Sequence, residues 1–316
     1  MPIYAASQQR IDSTGNFPTR MLSSRIIPPL AGLLAEFHTS INVAGMRYFD
    51  GNIDRFMVFC LLLRTSLSHP DRNGTISVHS AAMSLGRPFE TVRRHICALL
   101  DRNVCERTSS GVMLSRPYWA TPANWRQMRH AHDCFVRLVA DGVATGAFPA
   151  TSAVQSPNPR LSLDDGVCAA ADLLLALADA NRSWCPESID LAIFSAVLHA
   201  NKQALEADRS LHGNPNALLP RHAVRVTQIA RALSVPNTTV RRRIAPFCGS
   251  GGLYIRTSNG LHVATDRFRN GEPGNDGDAR HGSIRLIIQR AVAAGLSLRD
   301  PAQSYCERRP ASPRID

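Results

Sequence analysis

The sequence predicts a mostly α-helical protein with small β-hairpins, in which one unit occurs twice in tandem. Three observations lead there: an ordered internal repeat, apolar residues at helical spacing inside each copy, and a hairpin signal at the same place in both. The repeat comes first, because self-similarity decides architecture before local pattern does. At one constant spacing Val78 meets Val226, Ala82 meets Ala230, Leu85 meets Leu233 and Pro88 meets Pro236. Thr91-Val92-Arg93-Arg94 then falls on Thr239-Val240-Arg241-Arg242. After one inserted residue, Arg107-Thr108-Ser109-Ser110-Gly111 falls on Arg256-Thr257-Ser258-Asn259-Gly260. Upstream, Ile53-Asp54 with the apolar stretch Phe56 to Leu63 corresponds to Ile189-Asp190 with Ala192 to Leu198. The helical stretches Pro29 to Val43 and Asp164 to Ala180 take equivalent places. Chance produces one such match, not an ordered series, so a helix and the module after it have been duplicated.

In the second copy, Val226, Ile229, Ala230 and Leu233 form the apolar stripe of an amphipathic helix, with Thr227 as its expected cap. Ser234-Val235-Pro236-Asn237 breaks it, and a second helix begins near Pro236 with Val240, Ile244 and Phe247 inward. The glycines at 249, 251 and 252 end that helix. Leu253 to Arg256 and Leu261 to Val263 read as strands around an Asn-Gly turn, a strong hairpin signal. In the first copy the same plan gives helices over Val78–Leu85 and Pro88–Leu100 and a hairpin over Val104–Leu114.

Helix, tight turn, helix and hairpin, in that order, resembles the winged helix-turn-helix of bacterial transcriptional regulators of the MarR, IclR and GntR types. The resemblance covers about residues 53–118 and 189–266. It implies two tandem winged helix-turn-helix domains that bind double-stranded DNA, the second helix of each lying in the major groove. The DNA-binding residues it implies are Arg87, Glu90, Thr91, Arg93 and Arg94 in the first copy and Asn237, Thr238, Thr239, Arg241 and Arg242 in the second. Arg107 and Arg256 on the hairpins would reach the backbone or minor groove. These residue types suit base and phosphate contacts. Arg pairs with guanine, Asn with adenine, Thr with phosphate or a thymine methyl, and Glu with a cytosine amino group. Charged residues on a helix are usually a solvated face; recurrence of Arg-Arg at one position in both copies weighs against that. From Arg221 to Phe268 eight arginines face a single acid, Asp266, whereas Thr75 to Tyr118 carries six arginines and three acids. The second copy is therefore expected to bind more strongly and less selectively.

Composition agrees. A net charge of +11 and a pI of about 9.9 raise local concentration near polyanions. Lys202 is the only lysine; the arginines suit bidentate contacts to phosphate and guanine, and equally reflect GC-rich codon use. No apolar run of about 18 residues is present, and Met1 to Phe17 lacks the apolar core of a secretory signal. The expected location is the cytoplasm, with the nucleoid, and no membrane partner. The eight cysteines lack any C-x-x-C pair, and several, such as Cys60 and Cys97, read as small core residues, a redox sensor being the minor alternative. His130, His132 and Cys134, two apart on a helix, point to different sides, so no metal is expected. Gly249 to Gly252 lacks the Gly-Lys-Ser/Thr end of a phosphate loop. Nothing resembles a nucleophile motif or a carboxylate pair, so neither catalytic residues nor cofactors are expected.

The expected organisation is a disordered 1–25, a first unit over 26–142, a linker at 143–160 rich in Gly, Pro, Ala and Ser, a second unit over 161–297, and a disordered polar tail over 298–316. Glu206 to Leu219 and residues 269–280 read as loops, and Ser283 to Ala294 as a helix. The function implied is a sequence-specific transcriptional regulator reading DNA with two recognition helices in one chain. Two alternatives stand beside it: a plasmid- or phage-type replication initiator, and a non-catalytic adaptor whose winged helices bind protein. RNA polymerase, another regulator and a second copy of the chain, as a homodimer, remain open as partners.

Overall fold

The computed structural model of the chain describes residues 27–69, 71–148, 160–212, 218–249, 251–265 and 275–316. Helix α1 (Pro29–Tyr48) starts on a proline, whose missing N–H would be unpaired at that position anyway. Helix α2 (Ile53–Leu67) is capped by Asn52, whose side chain accepts the Arg55 N–H, and Asp54 in its first turn complements the helix dipole. Ser77 caps α3 (Val78–Leu85) in the same way. Gly86, at φ 56°, ends α3 in the left-handed region that glycine reaches without strain. Pro88 then leads into α4 (Phe89–Asp101). Strands β1 (Cys105–Thr108) and β2 (Gly111–Leu114) pair antiparallel with Cys105 opposite Leu114, and Ile76 bridges to Val112. After the short α5 (Arg116–Ala120), α6 (Pro122–Ala144) closes the first half.

The second half repeats this order: α7 (Leu163–Ala180), α8 (Ser188–His212), α9 (Val226–Ala232), α10 (Asn237–Ile244), β3 (Tyr254–Thr257), β4 (Gly260–Val263) and α11 (Asn275–Ala293). The protein is thus mostly helical, with two small antiparallel hairpins. Local detail repeats too. Ser234 adopts φ 55° where Gly86 stands in the first copy. Val224 bridges to Leu261 as Ile76 does to Val112. Ser66 Oγ accepts the Leu114 N–H at 3.2 Å, and Asn201 Oδ1 accepts the Val263 N–H at 2.9 Å. Each hairpin is therefore tied to the long helix before it by one buried polar side chain.

The halves interlock. Helix α1 packs on α8 and α7 packs on α2, so the first helix of each copy lies against the second helix of the other. Arg64 donates to Asp172 at 2.8 Å and Arg72 to Asp164 at 2.9 Å across the α2–α7 joint. Arg72 also lies over the rings of Trp119 and Trp125. Across the α1–α8 joint Lys202 faces Glu36 at 3.8 Å. Buried side chains from both copies, among them Leu33, Phe59, Phe135, Leu174, Ile193 and Ile288, join in one continuous core. Helices α1 and α7 each pack on helices of both copies, so the units expected over 26–142 and 161–297 share one core.

The tail departs furthest from expectation, because 298–316 is an ordered strap. Asp133 accepts the backbone N–H groups of Cys306, Glu307 and Arg308 at 2.7, 3.1 and 3.3 Å. Glu36 accepts from both Arg137 and Ser312. His199 and Gln203 donate to the Pro313 carbonyl at 2.8 and 3.2 Å. Ile315 is buried, and Arg231 of α9 donates to the Asp316 carbonyl. A polar composition signals disorder when a segment cannot bury enough of itself; this one is held through its backbone by buried side chains of the body, which composition does not show.

Smaller differences follow local chemistry. Helix α8 continues to His212, through part of the expected loop at Glu206 to Leu219, and α11 begins at Asn275, inside the expected loop at 269–280. Helix α9 begins at Val226, so Thr227 sits in its first turn and Gln228 Oε1 accepts the Arg225 N–H instead. The expected linker begins inside α6, and its residues 149–159, like the expected disordered 1–25, lie outside the described residues. No helix among the described residues is long and apolar enough to cross a membrane.

Burial keeps several histidines neutral. His38 is pushed down to about 3, and burial also lowers His95, His130, His199 and His262. Unfolding returns them to the ordinary value of about 6.5, so the unfolded chain takes up protons first as pH falls. The stability these groups contribute is complete above about pH 6.5 and lost progressively toward pH 3. The midpoint of denaturant unfolding should therefore be lower at pH 5.5 than at pH 7.5; equal midpoints would refute this.

Candidate nucleic-acid interface

Helix α10 is eight residues long, and Val240 and Ile244 are buried along one side of it. Those two positions turn Thr238, Arg241 and Arg242 outward, and all three are exposed. Arg241 and Arg242 have no acidic partner among the described residues; Arg241 Nε donates only to Asn237 Oδ1, at 3.4 Å. Thr239 is half-buried at the side of the helix. Arg243, which the sequence reading passed over, turns back to Asp190, its guanidinium 3.7 Å from a carboxylate that burial pushes up. On the hairpin Arg256 is exposed, its Nε 3.3 Å from Cys248 Sγ. The outward side of the second unit is thus cationic, with two guanidiniums that no carboxylate among the described residues pairs with.

The equivalent side of α4 is built on buried Val92, Ile96 and Leu99. Arg94 is exposed and without an acidic partner among the described residues, as is Arg107 on β1. Arg93 is exposed but engaged: Glu90 accepts from its Nε and Nη2, both at 2.8 Å. The paired guanidinium holds the Glu90 carboxyl below its usual range. Glu90 was expected to read a base or sharpen specificity; its carboxylate is instead the partner of its own neighbour one turn on.

Two expected contacts lie elsewhere. The Arg87 side chain is only 17% exposed and reaches Glu187 at 2.7 Å, Ser188 at 3.1 Å and Asp54 at 3.4 Å. It joins the turn of the first copy to the α7–α8 connection of the second. Arg182 completes that joint, donating to the carbonyls of Leu85 and Gly86 at 3.1 Å. Thr91 is half-buried and, with His95, lines a groove of about 230 Å³ between α4 and helices α7 and α8. Both residues serve the joint between copies rather than the outer surface. Of the Arg87 partners, Asp54 belongs to its own copy, while Glu187 and Ser188 belong to the other.

His132 lies 2.9 Å from Asp133 and 3.4 Å from Cys306, a residue of the strap. Donor atoms of the three lie within 4.8 Å of one another. Both oxygens of Asp133 are occupied by strap N–H groups, so the cluster acts as the anchor of the strap. His130 instead pairs with Cys134 at 3.5 Å. Burial pushes the Cys134, Cys105 and Cys168 thiols up to about 12, which keeps them protonated and poorly nucleophilic.

The chain matches no family model, and no curated protein or solved structure is similar to it.

Proposed function

We propose that the chain is a sequence-specific, double-stranded DNA-binding transcriptional regulator, a non-catalytic protein of the nucleoid. In this reading each helix–turn–helix–hairpin unit is a winged helix-turn-helix, with α4 and α10 as recognition helices and the hairpins as wings. One observation carries it: the same exposed arginine pair recurs on α4 and on α10, and each hairpin adds an exposed arginine, Arg107 or Arg256. A general polyanion binder needs positive charge but no such matched placement. Because the copies interlock, one chain supplies what two subunits of a homodimer would, and the site it reads is asymmetric. The two half-sites would lie about one helical turn, roughly 34–36 Å, apart.

In vitro site selection from random duplexes tests this. A single enriched motif with two unlike halves, bound at one chain per duplex, is the expected result. Salt-dependent binding with no motif would leave only non-specific charge and move the reading to a protein-binding adaptor. A replication initiator would give motifs repeated in tandem at an origin, and deleting the gene would stop plasmid replication. A further outcome concerns Glu90: the Glu90→Gln variant frees Arg93, so affinity should rise for duplexes of any sequence. The slope of log affinity against log salt should steepen by about one unit. An unchanged slope would show that Arg93 never meets phosphate.

A further inference from the structure

Matched through the repeat, Met83 stands where the second copy has Arg231, and Phe89 where it has Asn237. Met83 is in the last turn of α3 and Phe89 is the first residue of α4, so both belong to one corner. Met83 is 71% exposed and Phe89 49%. A single exposed apolar side chain is ordinary on a protein surface. Two on either side of the α3–α4 turn, where the duplicate carries Arg231 and Asn237, mark the first copy off from the second. Arg93, Arg94 and Arg107 are exposed on the same unit, so a polyanion is the partner their charge fits.

First-turn residues of a recognition helix are the ones that reach base edges. In the major groove the one apolar feature a base pair offers is the C5 methyl of thymine. We propose that Phe89, in the first turn of α4, reads thymine methyl groups, so that the half-site under α4 is thymine-rich. The half-site under α10 is read by hydrogen bonds from Asn237, Arg241 and Arg242. The proposal rests on the duplex reading above and adds the base preference of each half.

The test starts from the selected site, each half assigned by which of Arg93→Ala/Arg94→Ala and Arg241→Ala/Arg242→Ala relaxes it. Thymine is then replaced by uracil, one half at a time, which removes the methyl and leaves base pairing intact. Uracil in the α4 half should weaken binding roughly five- to tenfold, and uracil in the α10 half should change little. Phe89→Ala should cause a similar loss and abolish the uracil effect, whereas Phe89→Leu retains both affinity and sensitivity. Thermal melts of each variant, expected to match the parent because Phe89 is half exposed, separate a lost contact from a lost fold. A selected motif with no uracil effect in the α4 half, or a Phe89→Ala variant still sensitive to uracil, overturns the proposal and leaves duplex reading standing. Failure to select any motif overturns both.

Discussion

Arg241→Ala/Arg242→Ala should lower affinity for the selected duplex roughly 100-fold, against roughly tenfold for Arg93→Ala/Arg94→Ala. The asymmetry comes from Glu90. On α10 both guanidiniums are exposed with no carboxylate beside them, so each is ready to meet a phosphate or a guanine edge. On α4 the Arg93 guanidinium already holds Glu90 through two hydrogen bonds, and a DNA contact must first break them. Removing Arg93 also strands a carboxylate near phosphate, so that variant loses one effective contact, from Arg94, plus a modest repulsion. The salt dependence of affinity should weaken more for the α10 variant than for the α4 variant. Equal losses, or a larger loss at α4, would show that the Glu90 pair is irrelevant to binding.

Glu36→Ala should cost about 3 kcal/mol of stability or less, the low end for a buried ion pair broken on one side, because both cations keep a second carboxylate. Glu36 is buried on α1, receives hydrogen bonds from Arg137 of α6 and Ser312 of the strap, and faces Lys202 of α8. Its removal leaves Arg137 only Asp141, at 3.5 Å, and Lys202 only Glu206, at 3.0 Å, as counter-charges. The melting temperature should fall by several degrees, by analogy with chains of similar size. Glu36→Gln, which keeps acceptor and shape, should cost less. A chain ended after Ser304 loses the strap, and combining that truncation with Glu36→Ala should cost less than the two separate losses together, because both remove the Ser312 contact. A fully additive pair would show that strap and ion pair act independently.

Much of this was legible in the sequence, and the rest failed for identifiable reasons. The span of α3 and the inward positions Val92, Val240 and Ile244 follow from helical periodicity, which local residues alone determine. So does the outward direction of Arg93, Arg94, Arg241 and Arg242. The Glu90–Arg93 pair was within reach as well, since residues three apart on a helix are neighbours; chemistry suited to a base edge drew attention from a partner one turn away. Arg87 and Thr91 were beyond reach, because part of their surroundings belongs to α7 and α8, and nothing in a linear repeat says that the first helix of each copy packs on the other. The strap was hidden for a related reason: Asp133, Glu36 and His199 hold it from three separate helices, and no window along the chain contains them together.

The packing of each first helix on the other copy bears on how such a protein can change over generations. When two identical subunits read DNA, one nucleotide change in the gene alters both reading surfaces, so every experiment of evolution is made twice on the same molecule. A fused chain escapes that constraint but runs another risk, that its halves drift apart until they no longer fit. Here α1 packs on α8 and α7 on α2, so each half is braced in part by the other. Exposed positions away from those joints can then differ between the copies, as Met83 and Phe89 differ from Arg231 and Asn237.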